Sequence, residues 1–253
     1  MRRALVLALV LGFAMPPRVV QADDEMTLAQ EEEEEACIAS FDDATAARWA
    51  TRVDALTHRA SRRTRGWFFS WIAVNAGFLL GASLWAVGFR HDPLQRDAGI
   101  WGAAGSGATL ALLFAPPPSM AFAERRLARL PESERSDPRR RMLHALSELH
   151  RGEHMEPTMR FWALHVVNWS FSISEGLYLG LRYDNSLGTA LGNFFATLTI
   201  SETQLLTAPR ASEKAIAQLR TEGMPCLSHE VVMTPVRRRA SVMPLLGGVR
   251  VEF

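Results

Sequence analysis

The sequence predicts an all-α protein: a four-helix transmembrane bundle of two helical hairpins, with an amphipathic N-terminal helix and a short extended C-terminal tail. Three observations predict it. Residues 66–89 and 98–115 carry no charged side chain, and 161–181 and 187–208 carry few. Apolar runs of about 18 residues or more are long enough to cross a bilayer as helices. The links between them, "RHDPLQRD" at 90–97 and "RYDNS" at 182–186, are short, which makes each pair an antiparallel hairpin. Finally, small residues recur at steps of four: Ala73, Gly77 and Gly81; Ala103 and Gly107; Gly188 and Gly192. Such spacing lets helix backbones approach closely in lipid and offers faces for self-association.

The elements follow in order. Residues 1–22 read as a signal peptide. Arg2 and Arg3 precede the apolar core "ALVLALVLGFAM", Pro16 and Pro17 break it, and small residues lead to Ala22. Residues 23–39, with Glu31 to Glu35 in a row, read as an acidic flexible segment. Over 40–65 the residues Ala46, Trp49, Val53, Leu56 and Ala60 form one apolar stripe, the mark of an amphipathic helix. The membrane domain spans 66–208, with a polar helical loop at 116–160. In that loop Ser136-Asp137-Pro138 is a helix start, and Met142, Leu143, Leu146 and Leu149 are its apolar face. Residues 209–253 read as a short helix and an extended tail, with "HEVVMTPV" and "VMPLLGGVRVEF" as edge strands because of their prolines.

Composition excludes some functions. The net charge of the 253-residue chain is +1 and no basic stripe is interleaved with aromatics, so no nucleic-acid partner is expected. There is no Ser/His/Asp elbow, no phosphate loop and no CxxC. "GAAGSG" at 102–107 lacks the dinucleotide spacing and follows no strand. Two cysteines, Cys37 and Cys226, invite one disulfide in an oxidising compartment; two separate buried thiols are the alternative.

Topology carries a conflict. A cleaved signal and four spans put both termini in the periplasm, with the protein in the bacterial inner membrane. The arginines of the 116–160 loop would then be external, against the positive-inside rule. The signal sequence is given the greater weight.

Two sets of residues could carry chemistry. On the third span His165, Asn168, Ser172 and Glu175 fall on one helix face, and on the fourth Asn193 and Glu202 are their polar counterparts. Ionisable groups are costly in hydrocarbon, so this intramembrane polar seam should face the bundle interior. It serves either as hydrogen bonding between helices or as a path for protons or ions. The second set is "HRGEH", which places His150, Glu153 and His154 in the order of an inverted zinc-peptidase motif. No third acidic ligand accompanies it, so zinc is a minor alternative and no cofactor is expected.

Several motifs resemble an uncharacterised group of myxobacterial envelope proteins. They are the early Cys37, a helix entering a Trp-rich first span, and His165-Val166-Val167-Asn168. Gly176 to Asp184, then Glu202 with Leu206-Thr207-Ala208-Pro209, complete the set. The resemblance covers most of the chain after the signal. It implies architecture without an activity, and it singles out His165, Asn168, Asp184 and Glu202. The reading is therefore a non-enzymatic membrane protein of the cell envelope, scaffolding or binding an unknown protein partner. A small transporter or enzyme using His165 and Glu175 is the alternative, and a zinc hydrolase comes last.

Overall fold

The computed structural model describes residues 32–114, 117–160, 162–183, 187–227, 241–245 and 248–252. The signal segment, the "HEVVMTPV" stretch and Asp184 lie outside the described residues. Within them the chain is all-α apart from one terminal hairpin.

The described residues begin in a short helix, α1 (32–39). This corrects the flexible acidic segment: from residue 32 the acidic run is helical, because Ile38 and Glu34 are buried against the rest of the molecule. The next helix, α2 (Asp43–Gly88), is 46 residues long. Asp42 caps it by accepting from the Thr45 N–H at 2.7 Å. The predicted amphipathic helix and first span are thus one rod of about 69 Å. Nothing between Arg65 and Gly66 stops a helix, since neither proline nor a cap intervenes. All five residues of the predicted stripe, Ala46 to Ala60, are buried. Beyond Gly66 the same rod turns its apolar side chains outward: Leu84 is 72 % exposed.

After the link 89–92, α3 (Pro93–Phe114) runs back along α2. Proline at its first position and an Asp92 side chain accepting from the Gln95 N–H at 3.1 Å start it cleanly. Gly99 is required where the two helices touch. A Cβ there would lie 2.8 Å from Ala82 O and from Ala86 N. By contrast, nothing lies within 4 Å of a Cβ placed on Gly77 or Gly81. Close approach therefore runs through Gly99 of α3, and the glycine step of α2 faces outward.

A 3-10 turn (Ser119–Phe122) and two short helices, α4 (Ala123–Leu127) and α5 (Glu132–Ser136), lead to α6 (Pro138–Thr158). Asp137 is the N-cap of α6, accepting from the Arg139 N–H at 2.9 Å. Two further long helices, α7 (Trp162–Arg182) and α8 (Leu187–Leu206), pair as the second hairpin. The chain then forms α9 (Ala211–Thr221) and a 3-10 turn, Pro225–Leu227. The tail pairs Ser241–Leu245 (β1) with Gly248–Glu252 (β2), antiparallel, with Pro244 opposite Val249.

Two regions result. A head contains α1, the first half of α2, α4 to α6 and α9. Its core joins Ile38, Val53, Leu56, Leu146, Leu149 and Ile216, among others. The disulfide Cys37–Cys226 closes it, with a Cα–Cα distance of 5.6 Å across 189 residues of sequence. The second region is the two long hairpins. Among the described residues only α2 is by itself long and apolar enough to cross a membrane, and 6 % of that stretch is buried. The bent pair of α3 with Ser119–Leu127 is a second candidate. Helices α7 and α8 fall short on composition because they carry His165, Asn168, Glu175, Asn193, Glu202 and Gln204.

Candidate functional site

Polar groups inside the two hairpins lie at three levels. Nearest the head, His165 Nδ1 on α7 lies 2.5 Å from Glu202 Oε2 on α8. Asn168, one turn further along α7, reaches Glu202 Oε1 at 3.5 Å. At the same end Asn75 of α2 donates to Gln204 Oε1 at 3.1 Å. The indole N–H groups of Trp67 and Trp71 both reach Thr207 Oγ1, at 3.2 and 3.3 Å. These contacts tie α2 to the end of α8.

The middle level holds Ser172 and Glu175, both fully buried. Thr197 of α8 donates to Glu175 Oε2 at 2.8 Å. Asn193, predicted for this seam, does not join it. Its amide donates to Thr189 O of its own helix at 2.9 Å, one turn back.

The far level was not foreseen. Asp97 of α3 accepts from Tyr183 at 2.7 Å and Tyr178 at 3.0 Å, and from Arg96 at 3.0 Å. Arg182 lies 3.5 Å away. The cluster pins α3 to the end of α7. Asp97 sits at the end of the short link 90–97, and its burial showed in no hydrophobic periodicity. Tyr178 and Tyr183, the chain's two tyrosines, were the available signal. Between the middle and far levels, Leu179, Ala98 and Ala190 pack in an apolar layer.

In the head, the residues of the zinc-like motif take separate contacts. His150 Nε2 lies 3.0 Å from Glu34 of α1, and its Nδ1 lies 3.4 Å from Glu153. Burial alone would lower the pKa of His150, but the Glu153 and Glu34 carboxylates more than offset it and raise it to about 9. His154 is exposed. Gly152 is there because α9 crosses close by: its Cβ would meet Ser212. One turn on, Glu156 accepts from the N–H groups of Ser212 and Glu213 at 2.8 and 3.2 Å, capping α9 from outside that helix. Among the described residues no three His, Cys, Asp or Glu side chains are placed to hold a metal ion.

A shallow groove of about 480 Å³ on the head is lined by Asp54, His58, Glu124, Leu127, Arg135 and Arg141, among others. Its charges are spent on one another. Arg141 pairs with Asp54 at 2.6 Å, His58 and Arg65 pair with Glu124, and Arg135 with Glu132. Burial raises the Asp54 pKa in spite of Arg141.

No family model, curated protein or solved structure matches the chain. The class defined by the described residues is that of an all-α protein with a disulfide-closed head and at least one helix fit to cross a membrane.

Proposed function

We propose that the chain is an integral membrane protein of the bacterial envelope, with α3, α7, α8 and the second half of α2 crossing the bilayer as two hairpins. The head stands on the periplasmic side. Its role is scaffolding: the head presents a folded surface to a partner protein, and the hairpins fix it to the membrane. The observation that carries this reading is the reversal of polarity between the two regions. The head buries leucine and methionine. The hairpins turn Leu84, Leu181, Leu187 and Leu206 outward and bury Asn75, Ser172, Glu175 and Gln204. That arrangement is unfavourable in water and favourable in lipid. Each crossing segment has 20 to 23 residues, about 30–35 Å of helix, which suits a hydrocarbon core. Trp67, Trp71 and Trp162 cluster at the head end, and Trp85, Tyr178 and Tyr183 at the far end, where two aromatic belts would lie.

The disulfide supports the periplasmic side, since such bonds persist in oxidising compartments. The arginine conflict weakens once the head is folded. Arg126 pairs with Glu148, Arg139 with Asp43, Arg141 with Asp54 and Arg160 with Glu213. The outward Gly77 and Gly81 offer a face for self-association within the membrane.

The test is extraction and thiol labelling. Alkaline carbonate should leave the chain in the membrane. A membrane-impermeant maleimide should label intact spheroplasts only after reduction. Extraction by carbonate would end the membrane reading, and labelling that needs permeabilised cells would reverse the orientation.

A further inference from the structure

The middle level of the seam holds two polar groups that no structural role accounts for. Glu175 is fully buried, and only Oε2 has a partner, the Thr197 hydroxyl. Its Oε1 has none among the described residues. One turn toward the head, the Ser172 Oγ is also fully buried and also without a partner. Side chains that merely hold helices together would satisfy each other. Nor is a counter-ion at hand. Helix α2 carries no charge over 66–88, and α3 none over 98–114. The one ionisable residue of α8, Glu202, is engaged with His165.

We infer that Glu175 is a proton-binding site within the span, loaded from the head end and closed from the far end. An acid buried without a counter-ion is held as the neutral carboxyl, which can donate as well as accept. Ser172, one turn away on the same helix, is a second hydroxyl-bearing residue of this level beside Thr197. Toward the head the polar column continues through Asn168 to the His165–Glu202 pair. His165 is partly exposed there, so it links the column to water. Toward the far end the apolar layer of Leu179, Ala98 and Ala190 separates Glu175 from Asp97, Arg96 and Arg182. The proton travels as such from water to the Glu175 carboxylate. One O–H bond forms there, and nothing is oxidised or reduced. A metal cation fits poorly, because the level offers one carboxylate and two hydroxyls, too few oxygens to replace a hydration shell.

This inference rests on the membrane reading. The probe is dicyclohexylcarbodiimide, which adds to a protonated carboxyl in apolar surroundings and spares ionised ones. The full chain would be reconstituted in sealed phospholipid vesicles, selected for the head facing out. After labelling, mass mapping should place one adduct on Glu175. Its yield should follow the outer pH and not the inner, falling about tenfold per unit of pH above its midpoint, as for a single titrating group. Sodium should not protect. His165→Ala should slow the response to outer pH without moving the adduct. Mapping wild type identifies the site even where Glu175→Gln fails to fold. An unlabelled Glu175 in an inserted chain, a yield set by inner pH, or protection by sodium would overturn the inference. A chain that never resists carbonate extraction would instead overturn the membrane reading.

Discussion

The two halves of α2 obey opposite rules in one unbroken helix. From Asp43 to Arg65 the apolar stripe faces a packed protein core and the charges face out. From Gly66 to Gly88 most large apolar side chains face out, Phe68 being the buried exception, and Asn75 is buried on Gln204. The helix continues through both halves although the second carries Gly66, Gly77, Gly81 and Gly88, which are poor helix formers. What changes is the solvent that each half demands. The head gains by removing apolar area from water. On the membrane reading proposed above, the hairpins have no such gain and are held by close packing at Gly99 and by polar contacts such as Asp97 with its two tyrosines. The difference teaches that a core substitution and a lipid-face substitution of the same residue type should not cost the same.

The largest expected effect breaks the head. Cys37→Ser removes a link across 189 residues of sequence, and the loss of loop-closure constraint on the unfolded chain should cost about 4 kcal/mol. Denaturant unfolding of the detergent-purified protein, with and without reductant, measures it. A loss below about 1 kcal/mol would mean that α1 is held by packing alone. The contrast between the regions is then sharpened by a matched pair. Leu146→Ala in the head core should cost about 3 kcal/mol in transfer and cavity terms. Leu181→Ala, at a position 82 % exposed, should cost under about 0.5 kcal/mol. Equal costs would show Leu181 packed against something in the native assembly.

The sequence made the helices legible because their periodicity and charge-free length are local properties. Ala46 to Ala60 and the Asp137-Pro138 start both read directly from spacing. The cysteine pairing was open on count alone, and distance decided it. What stayed hidden was non-local. Asp97 looked like a loop residue until Tyr178 and Tyr183 arrived from 81 and 86 residues away. Glu156 caps a helix 56 residues on, and Glu34 meets His150 from 116 residues back. The zinc-like motif holds contacts its spacing did not show: His150 meets Glu34 from outside the five, and Gly152 makes room for Ser212. The seam was half legible, since facing residues on one helix follow from steps of three and four. Their partners across the hairpin depend on register, which placed Thr197 on Glu175 and left Asn193 to its own helix.

An intermediate effect should appear in alkali. The folded-state pKa of His150 is raised from 6.5 to about 9, so its charged form stabilises the head. That contribution is full below about pH 6.5 and is lost as pH rises through about 9. Its size is on the order of 2 kcal/mol. Stability of wild type against His150→Gln, followed from neutral to alkaline pH, should converge at the high end. Parallel curves would mean that the Glu34 contact does not hold a proton on the ring.

The smallest effect lies at the surface, where Arg52 of α2 meets Glu222 just past the end of α9. Arg52 Nε donates to Glu222 Oε2 at 2.7 Å. With Gln218 also donating, the pair lowers the Glu222 pKa to about 2. The sign is opposite to that of His150. Any stabilisation is present above the ordinary carboxylate range and is lost as pH falls toward about 2. Both side chains are partly exposed, so solvent and salt screen the pair. Glu222→Gln should therefore change neutral-pH stability less than any substitution above, and moderate salt should erase the change. A large, salt-insensitive loss would show that this corner is covered in the native assembly. The contact between α2 and α9 would then belong to an interface of the head with its partner.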